Sequence, residues 1–221
     1  MSSASFATLS LYNKIIYPEV IMKDFWNERY AEEGLAYGVE PNVFLTEVVD
    51  LIKPEGKVLV VGDGEGRNGV WLVAEGFDVT SVDYSIVAIE KINTLAKESD
   101  VNINAVCADL NDWDWPVEEF DAVVAVYVHY PSESRKAIHH KMLEALKPGG
   151  KIIMEAFNKA QLDYPSGGPP VLDMLFSEQE LKDDFSRLNI QEVYEKIVYL
   201  NEGKYHVGDG AIVRLIGEKN A

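Results

Sequence analysis

Two hydrophobic rhythms alternate along the chain, and their alternation predicts the architecture. Val58–Val61 is an unbroken apolar run, the pattern of a strand buried on both faces. A glycine-rich turn follows it, then helical spacing over Asn68–Glu75 that Gly76 ends. Asp78–Val82 reads as a strand, and Ile86, Ile89, Ile92 and Ala96 line one side of a helix. Ile103–Cys107 reads as a short strand and Phe120–Val126 as another buried one. Ser132–Leu146 predicts a helix closed by the turn Lys147-Pro148-Gly149-Gly150, and Lys151–Phe157 the next strand. Ser177-Glu178-Gln179-Glu180 fits a capping box that opens a helix. Gln191–Leu200 and Ala211–Ile216 are two last strands with no helix between them, which predicts an antiparallel hairpin. Upstream, Val20–Tyr30 and Val43–Ile52 have helical spacing. The turn Tyr37-Gly38-Val39-Glu40-Pro41-Asn42 separates them, and Lys53-Pro54-Glu55-Gly56 stops the second.

Strands alternating with helices predict a Rossmann-like, doubly wound α/β fold, with a mostly parallel sheet covered on both faces. Ligands in such sheets bind outside the carboxyl ends of the strands, near the switch in strand order. Functional residues are therefore expected just after strands. One domain over 21–221 is expected, preceded by a tail or arm over 1–20.

Composition narrows the partners. A formal charge of −17 over 221 residues disfavours a protein that coats nucleic acid or an anionic membrane. The first residues lack a basic, then apolar, secretory pattern, and no run reaches the ~20 apolar residues of a spanning helix. The single cysteine, Cys107, permits no internal disulfide and no thiolate-rich metal site. It suits a reducing compartment, so a cytoplasmic location is expected. Its place in a strand predicts a buried thiol. A small-molecule substrate is expected, with no nucleic acid, membrane or metal partner; the oligomeric state is not legible.

The candidate chemistry lies at three strand ends. Gly62-Asp63-Gly64-Glu65-Gly66 follows Val61 directly, and such a turn brings backbone N–H groups and a helix N-terminus close to a ligand. Asp83 stands 21 residues after Gly62 and ends its strand, where a carboxylate can grip ribose hydroxyls. Asp109 follows the third strand, placed to accept from an adenine amino group while Leu110 packs on the ring. Gly64, Gly66 and Gly69 also spell the dinucleotide pattern G-x-G-x-x-G, which keeps a nicotinamide oxidoreductase as an alternative. Against it, Arg67 stands where the third glycine would fall when counted from Gly62.

The Gly62–Gly66 turn, Asp83, Asp109, the strand Phe120-Asp121-Ala122-Val123-Val124 and the turn Leu146-Lys147-Pro148-Gly149-Gly150 resemble class I S-adenosylmethionine-dependent methyltransferases. Phe25-Trp26-Asn27-Glu28-Arg29-Tyr30, Tyr37–Asn42, Gly64–Asn68 and Glu202-Gly203-Lys204-Tyr205-His206 resemble the branch with tellurite-resistance and thiopurine-type methyltransferases. The resemblance implies a seven-stranded sheet and S-adenosyl-L-methionine as cofactor. It implies that Gly62, Asp63, Gly64 and Gly66 hold the methionine part, Asp83 the ribose and Asp109 the adenine. Tyr37, Tyr84, Leu110 and Val126 complete the expected cofactor set. The chain departs from the family at Val60, where an acid is usual, and at Asp63, where a small residue or cysteine is common. Either Asp63 takes over the acidic role or the cofactor's amino group finds another partner.

Methyl transfer is an in-line displacement on an activated carbon, so alignment and exclusion of water can carry much of the catalysis. A base is needed only when the nucleophile keeps its proton. His129, after the fourth strand, and His206, in the last hairpin, are the candidate catalytic residues, because imidazole titrates near neutrality. His129 could instead orient its loop through a backbone hydrogen bond, and His206 could be a hydrogen-bonded turn residue. Tyr205 is a substrate candidate, and Tyr127 and Tyr130 are expected as walls. The segment 158–174 reads as a lid or as an ordered surface loop. Trp26 and Tyr30 belong to the core or close over the cofactor; Trp113 and Trp115 pack the sheet edge. His139 and His140 are expected to be solvated or half-buried. The leading function is methyl transfer to a small-molecule S, Se/Te, N or O nucleophile. The alternative from another class is a non-catalytic adenosyl-ligand sensor or assembly partner.

Overall fold

The computed structural model describes residues 19–220. The arm expected over 1–20 lies outside them apart from its last two positions, which open a helix. The seven-stranded sheet has the order β3-β2-β1-β4-β5-β7-β6. Its strands are β1 (Lys57–Val61), β2 (Asp78–Asp83), β3 (Asn104–Cys107), β4 (Phe120–Val126), β5 (Leu146–Phe157), β6 (Leu188–Glu202) and β7 (His206–Lys219). The helices are α1 (Glu19–Tyr30), α2 (Val43–Val48), α3 (Arg67–Ala74), α4 (Ile86–Glu98), α5 (Ser132–Ala145) and α6 (Glu178–Asp184). β1 to β5 pair in parallel, and β7 alone runs against both its neighbours. β6 therefore points the same way as β1, and its carboxyl end reaches the same edge of the sheet. Strand order reverses between β1 and β4.

The apolar runs split by strand period. Leu59 and Val61 join Val123, Ile138 and Met142 in the core under α5 and α6. Val58 and Val60 face the other way, onto Phe44, Leu72 and Val124 under α2 and α3. Ser177 and Glu180 form the expected reciprocal capping box at the start of α6.

Several expectations need correction. The helix expected over Val43–Ile52 gives way to a 3-10 turn at Val49–Leu51. Lys147–Gly150 does not separate helix from strand: β5 already pairs at Leu146, and the four residues form an irregularity before pairing resumes at Lys151. The last hairpin turn is only 203–205, because β6 continues to Glu202 and β7 starts at His206. Cys107 is exposed, since β3 is the short edge strand of the sheet. His139 is buried; α5 packs on α6, where its Nδ1 lies 2.9 Å from Asp184 Oδ2 and its ring stacks on Phe185. His140 points outward, to Arg187 and Glu144. Trp115 is buried, and its indole N–H donates to the Leu110 carbonyl (2.9 Å), which fixes the loop after β3.

The sheet also holds a buried charge pair. Glu155 on β5 lies opposite Arg214 on β7, whose Nε–H donates to it at 2.6 Å. Asn42 and the Tyr127 hydroxyl donate to the other carboxylate oxygen at 2.7 and 2.8 Å. Removing Glu155 leaves Arg214 with only the exposed Glu47 carboxylate, 3.5 Å from its Nη1, and breaking such a buried pair costs about 3–5 kcal/mol. Glu155→Ala should lower the urea-derived unfolding free energy by about that amount, and adding Arg214→Met should restore part of it. A single variant within about 1 kcal/mol of the parent would show that solvent or another partner compensates Arg214.

Candidate active site

A crevice opens at the carboxyl ends of the parallel strands, where strand order reverses. It has two lobes of about 470 and 410 Å³ that share Met22, Trp26, Tyr30, Gly62, Tyr127 and His129, so they form one continuous space. The first lobe is lined by Asp83, Tyr84, Ala108, Asp109, Leu110 and Asn111. Gly62, Asp63, Gly64, Val126, Tyr37 and His206 line the second.

Asp83 is buried, and each carboxylate oxygen accepts one backbone N–H at 2.9 Å, from Gly64 and from Ser85. Burial outweighs these donors and pushes its carboxyl up to about 6. Asp109 is half-buried; its Oδ1 accepts both the backbone and side-chain N–H of Asn111 at 2.9 Å. Its Oδ2 has no partner among the described residues. The carboxylates at 83 and 109 thus face one lobe, with the buried Leu110 beside them.

In the turn between β1 and α3, Gly64 has φ +60°, and a Cβ there would lie 2.8 Å from the Tyr30 hydroxyl. Gly66 does not reach the crevice wall. It sits at the start of α3 with φ +91°, pressed against Ile92 of α4. Gly69 makes room for the carboxylate of Asp63, which accepts from the Ser81 hydroxyl (2.6 Å) and the Gly69 N–H (3.3 Å). The apparent dinucleotide pattern is therefore explained by helix packing and by Asp63. Burial pushes the Asp63 carboxyl up to about 7. Val60 faces the apolar core and not the crevice.

The second lobe is walled by aromatic rings. Tyr37 lies 4.6 Å from the His206 ring, Tyr127 4.6 Å on another side, and Phe157 stacks on Tyr127 at 4.7 Å. His129 has both ring nitrogens engaged: Nδ1 is 2.8 Å from the Met174 carbonyl, and Nε2 accepts the Phe157 N–H at 3.2 Å. Burial lowers its pKa to about 4. A neutral ring with no uncommitted nitrogen ties the loop after β4 to β5 and to Met174; it is not placed as a base.

His206 differs. Its Nδ1 lies 3.4 Å from Glu202 Oε2, and its Nε2 has no hydrogen-bond partner among the described residues. Burial lowers its pKa, against the opposing pull of Glu202. The result is a neutral imidazole with one nitrogen steadied by a carboxylate and the other uncommitted. Glu202 is itself held: Arg67 donates to it at 2.9 Å and Asn42 at 3.2 Å. Asn42 further donates its backbone N–H to Asn68 (2.9 Å).

Reasoning from residue types missed Asn42, Arg67, Asn68, Glu155 and Glu202. The signal was present as short segments, 37–42, 64–68 and 202–206, whose side chains meet only in three dimensions.

Two elements roof the crevice. α1 contributes Met22, Phe25, Trp26, Arg29 and Tyr30, and Asn27 anchors it by accepting from Ser85 Oγ at 2.6 Å. From the other side, Pro165, Gly167, Gly168, Pro169, Pro170 and Met174 line the second lobe. Gln161 pins this segment through Ser166, the Gly167 carbonyl and the Ala211 N–H. Among the described residues there is no His/Cys/Asp/Glu cluster suited to a metal ion, and no helix long and apolar enough to cross a membrane.

Comparison with known proteins agrees with this geometry. A methyltransferase-domain family profile matches residues 58–150. The probable S-adenosyl-L-methionine-dependent methyltransferase TehB of Haemophilus influenzae is 30% identical over 189 residues, covering 85% of this chain and 60% of TehB. The thiopurine S-methyltransferase of Vibrio cholerae is 25% identical over 190 residues, covering 78% of this chain and 84% of that protein. The crystal structure of Haemophilus influenzae TehB superposes with a TM-score of 0.68 at 23% identity, covering 90% of this chain and 67% of TehB. The chain spans 55 to 60% of the length of the TehB sequences it matches. Residues 58–150 carry a methyltransferase domain, and the chain is similar in sequence and fold to the class I S-adenosylmethionine-dependent methyltransferases of the TehB and thiopurine branch, which implies S-adenosyl-L-methionine as cofactor.

Proposed function

We propose that this chain moves the methyl group of S-adenosylmethionine to a nucleophilic atom of a small-molecule acceptor, in a reducing cytosol. The observation that supports this best is one continuous crevice. It runs from two strand-end carboxylates, past a glycine turn, into an aromatic lobe where the His206 Nε2 is uncommitted.

The residues fit the cofactor. Each Asp83 oxygen accepts one N–H and keeps a lone pair for a ribose hydroxyl. The unpartnered Oδ2 of Asp109 suits the adenine amino group, Leu110 the ring, and the 62–64 turn the methionine part. Trp26, Tyr30 and Tyr37 present aromatic surface suited to a sulfonium. When bound, the cofactor supplies a methyl carbon already activated by positive sulfur. The walls hold the acceptor in line and keep water out. An acceptor that retains its proton gives it to His206 Nε2. Glu202 holds the other ring nitrogen, so the ring stays oriented while it gains charge. His129 braces the wall.

Calorimetry with S-adenosylmethionine and S-adenosylhomocysteine tests the reading first; no binding at millimolar ligand would remove it. A methyl-transfer screen over thiols, selenite, tellurite and small amines, read by S-adenosylhomocysteine release, tests the second half. Binding with no turnover across the panel would favour the sensor reading.

Asp83→Ala should weaken S-adenosylhomocysteine binding by about 1–3 kcal/mol, as for buried donors left unpaired. The same site sets a pH dependence. The ionised carboxylate is the form that accepts ribose hydroxyls, so affinity should be full above about pH 6 and fall as pH drops through that value. Asp83→Asn should remove this limb. An unchanged limb in Asp83→Asn would assign it to Asp63, whose carboxyl sits near 7, and would refute the ribose assignment.

His206→Gln should cost about 10²–10⁴ in kcat for acceptors that hold a proton at the working pH, and far less for pre-ionised thiolates. An equal loss for both classes would show that His206 shapes the lobe without acting as a base.

A further inference from the structure

We propose that the acceptor carries a carboxylate and that Arg29 selects it; this rests on the methyl-transfer reading above. Arg29 is half-buried on α1 and lines the second lobe. Its guanidinium carbon lies 3.8 Å from the centre of the Tyr205 ring and 4.9 Å from that of Phe25. One amino group donates to the Tyr37 hydroxyl at 3.3 Å. Among the described residues, no carboxylate oxygen lies within 4 Å of the guanidinium. The charge is positioned by aromatic surfaces and has no acid at contact distance; Glu32, which accepts from the Tyr205 hydroxyl, feels it from farther off.

The other long cations of the lobe are committed. Arg67 pairs with Glu202 at 2.9 Å. Lys204 donates to the Glu33 carbonyl at 2.7 Å and stands 3.8 Å from Glu32. The lobe's acids have their own donors: Ser81 and Gly69 for Asp63, Lys91 and the Ala36 N–H for Glu65. Among the described residues the lobe thus offers one cation with donors to spare. A planar guanidinium fork matches a carboxylate in two parallel hydrogen bonds, and a half-buried setting strengthens them. Arg29 touches Tyr37, Phe25 and Tyr205, at the hairpin end of the lobe. Tyr30 is the α1 side chain against Gly64. Phe25 and Tyr205 lie outside the cofactor set and place the guanidinium on the acceptor side; Tyr37 borders both, so the cofactor's own carboxylate is the competing anion that the test separates. During transfer the acceptor nucleophile bonds to the methyl carbon, the methyl–sulfur bond breaks, and its electron pair stays on the cofactor sulfur. The carboxylate remains ionised on Arg29 throughout.

The test compares 2-mercaptobenzoate with thiophenol, two thiols that differ by the carboxylate. The parent should favour 2-mercaptobenzoate in kcat/KM by about tenfold or more, the worth of a charge-assisted hydrogen bond. Arg29→Met should bring the ratio toward one through KM, and Arg29→Lys should restore part of it. Benzoate binding to the S-adenosylhomocysteine-saturated protein, measured by calorimetry, should weaken in Arg29→Met to the same degree. A ratio near one in the parent overturns the proposal. So does loss of S-adenosylhomocysteine affinity in Arg29→Met with the ratio intact, which would place the cofactor's carboxylate on Arg29. If no thiol turns over, methyl transfer to such acceptors fails, and the benzoate measurement still decides Arg29. Benzoate affinity equal in parent and Arg29→Met would then refute the anion site.

Discussion

The Glu202 carboxylate is the constraint on which the aromatic lobe of the crevice depends. It is held, half-buried, between Arg67, Asn42 and His206, which come from three segments far apart in the chain. Arg67 begins the helix after the glycine turn, Asn42 caps α2, and His206 opens the last strand. One acid therefore brings the turn at 62–66, the loop at 37–42 and the final hairpin into register. The burial that makes an unpaired carboxylate costly also makes this arrangement specific, because every alternative leaves a charge or an amide without a partner. Two contacts reinforce it: Lys204 N–H donates to the Ala36 carbonyl at 2.8 Å, and Gly203 packs directly on Ala36 and Tyr37. The neutral imidazole of His206 follows from this packing. It is held by a carboxylate whose charge is already shared with a guanidinium.

Much of the fold was legible because period and punctuation act locally. The apolar run of β1, the helical spacing of α4 and the capping box at Ser177 each declare themselves within a few residues. The misreadings share a different cause. Lys147–Gly150 has turn composition, yet β4 supplies pairing at Leu146 and Lys151 on either side, and the chain bulges to accept both. β6 runs to Glu202 because β7 offers partners to that point. Cys107 and His139 were misjudged on burial, which depends on whether a neighbouring element covers the position.

The candidate site divides the same way. Asp83, Asp109 and the 62–64 part of the glycine turn could be placed at the crevice from sequence because each lies at a strand end, and strand ends share one edge of a parallel sheet. Glu155 and Glu202 could not, since an acid inside a strand reads as a surface residue until its partners are known. Their partners lie 113 and 160 positions away, counted from Asn42. Gly66 and Gly69 show the reverse error: a pattern that spells a ligand motif is satisfied by Ile92 and Asp63 instead.

Charge distribution adds a last step. The chain carries a net charge of −17, so its surface repels anions at long range. That repulsion is screened beyond about 10 Å at ordinary salt and does not decide what binds inside a pocket. Within the crevice the balance is local. Two acids of the glycine turn and β2 edge, Asp63 and Asp83, are pushed up by burial toward neutrality. Arg29 stands in a cradle of rings and, among the described residues, makes no contact ion pair. An acidic protein thereby keeps a cationic corner in the lobe away from Asp83 and Asp109. The aromatic cradle is the means: ring faces hold a guanidinium in place by cation–π attraction and leave its edge donors available. An acid in the same position would fix the side chain equally well and would leave no charge to recognise anything else.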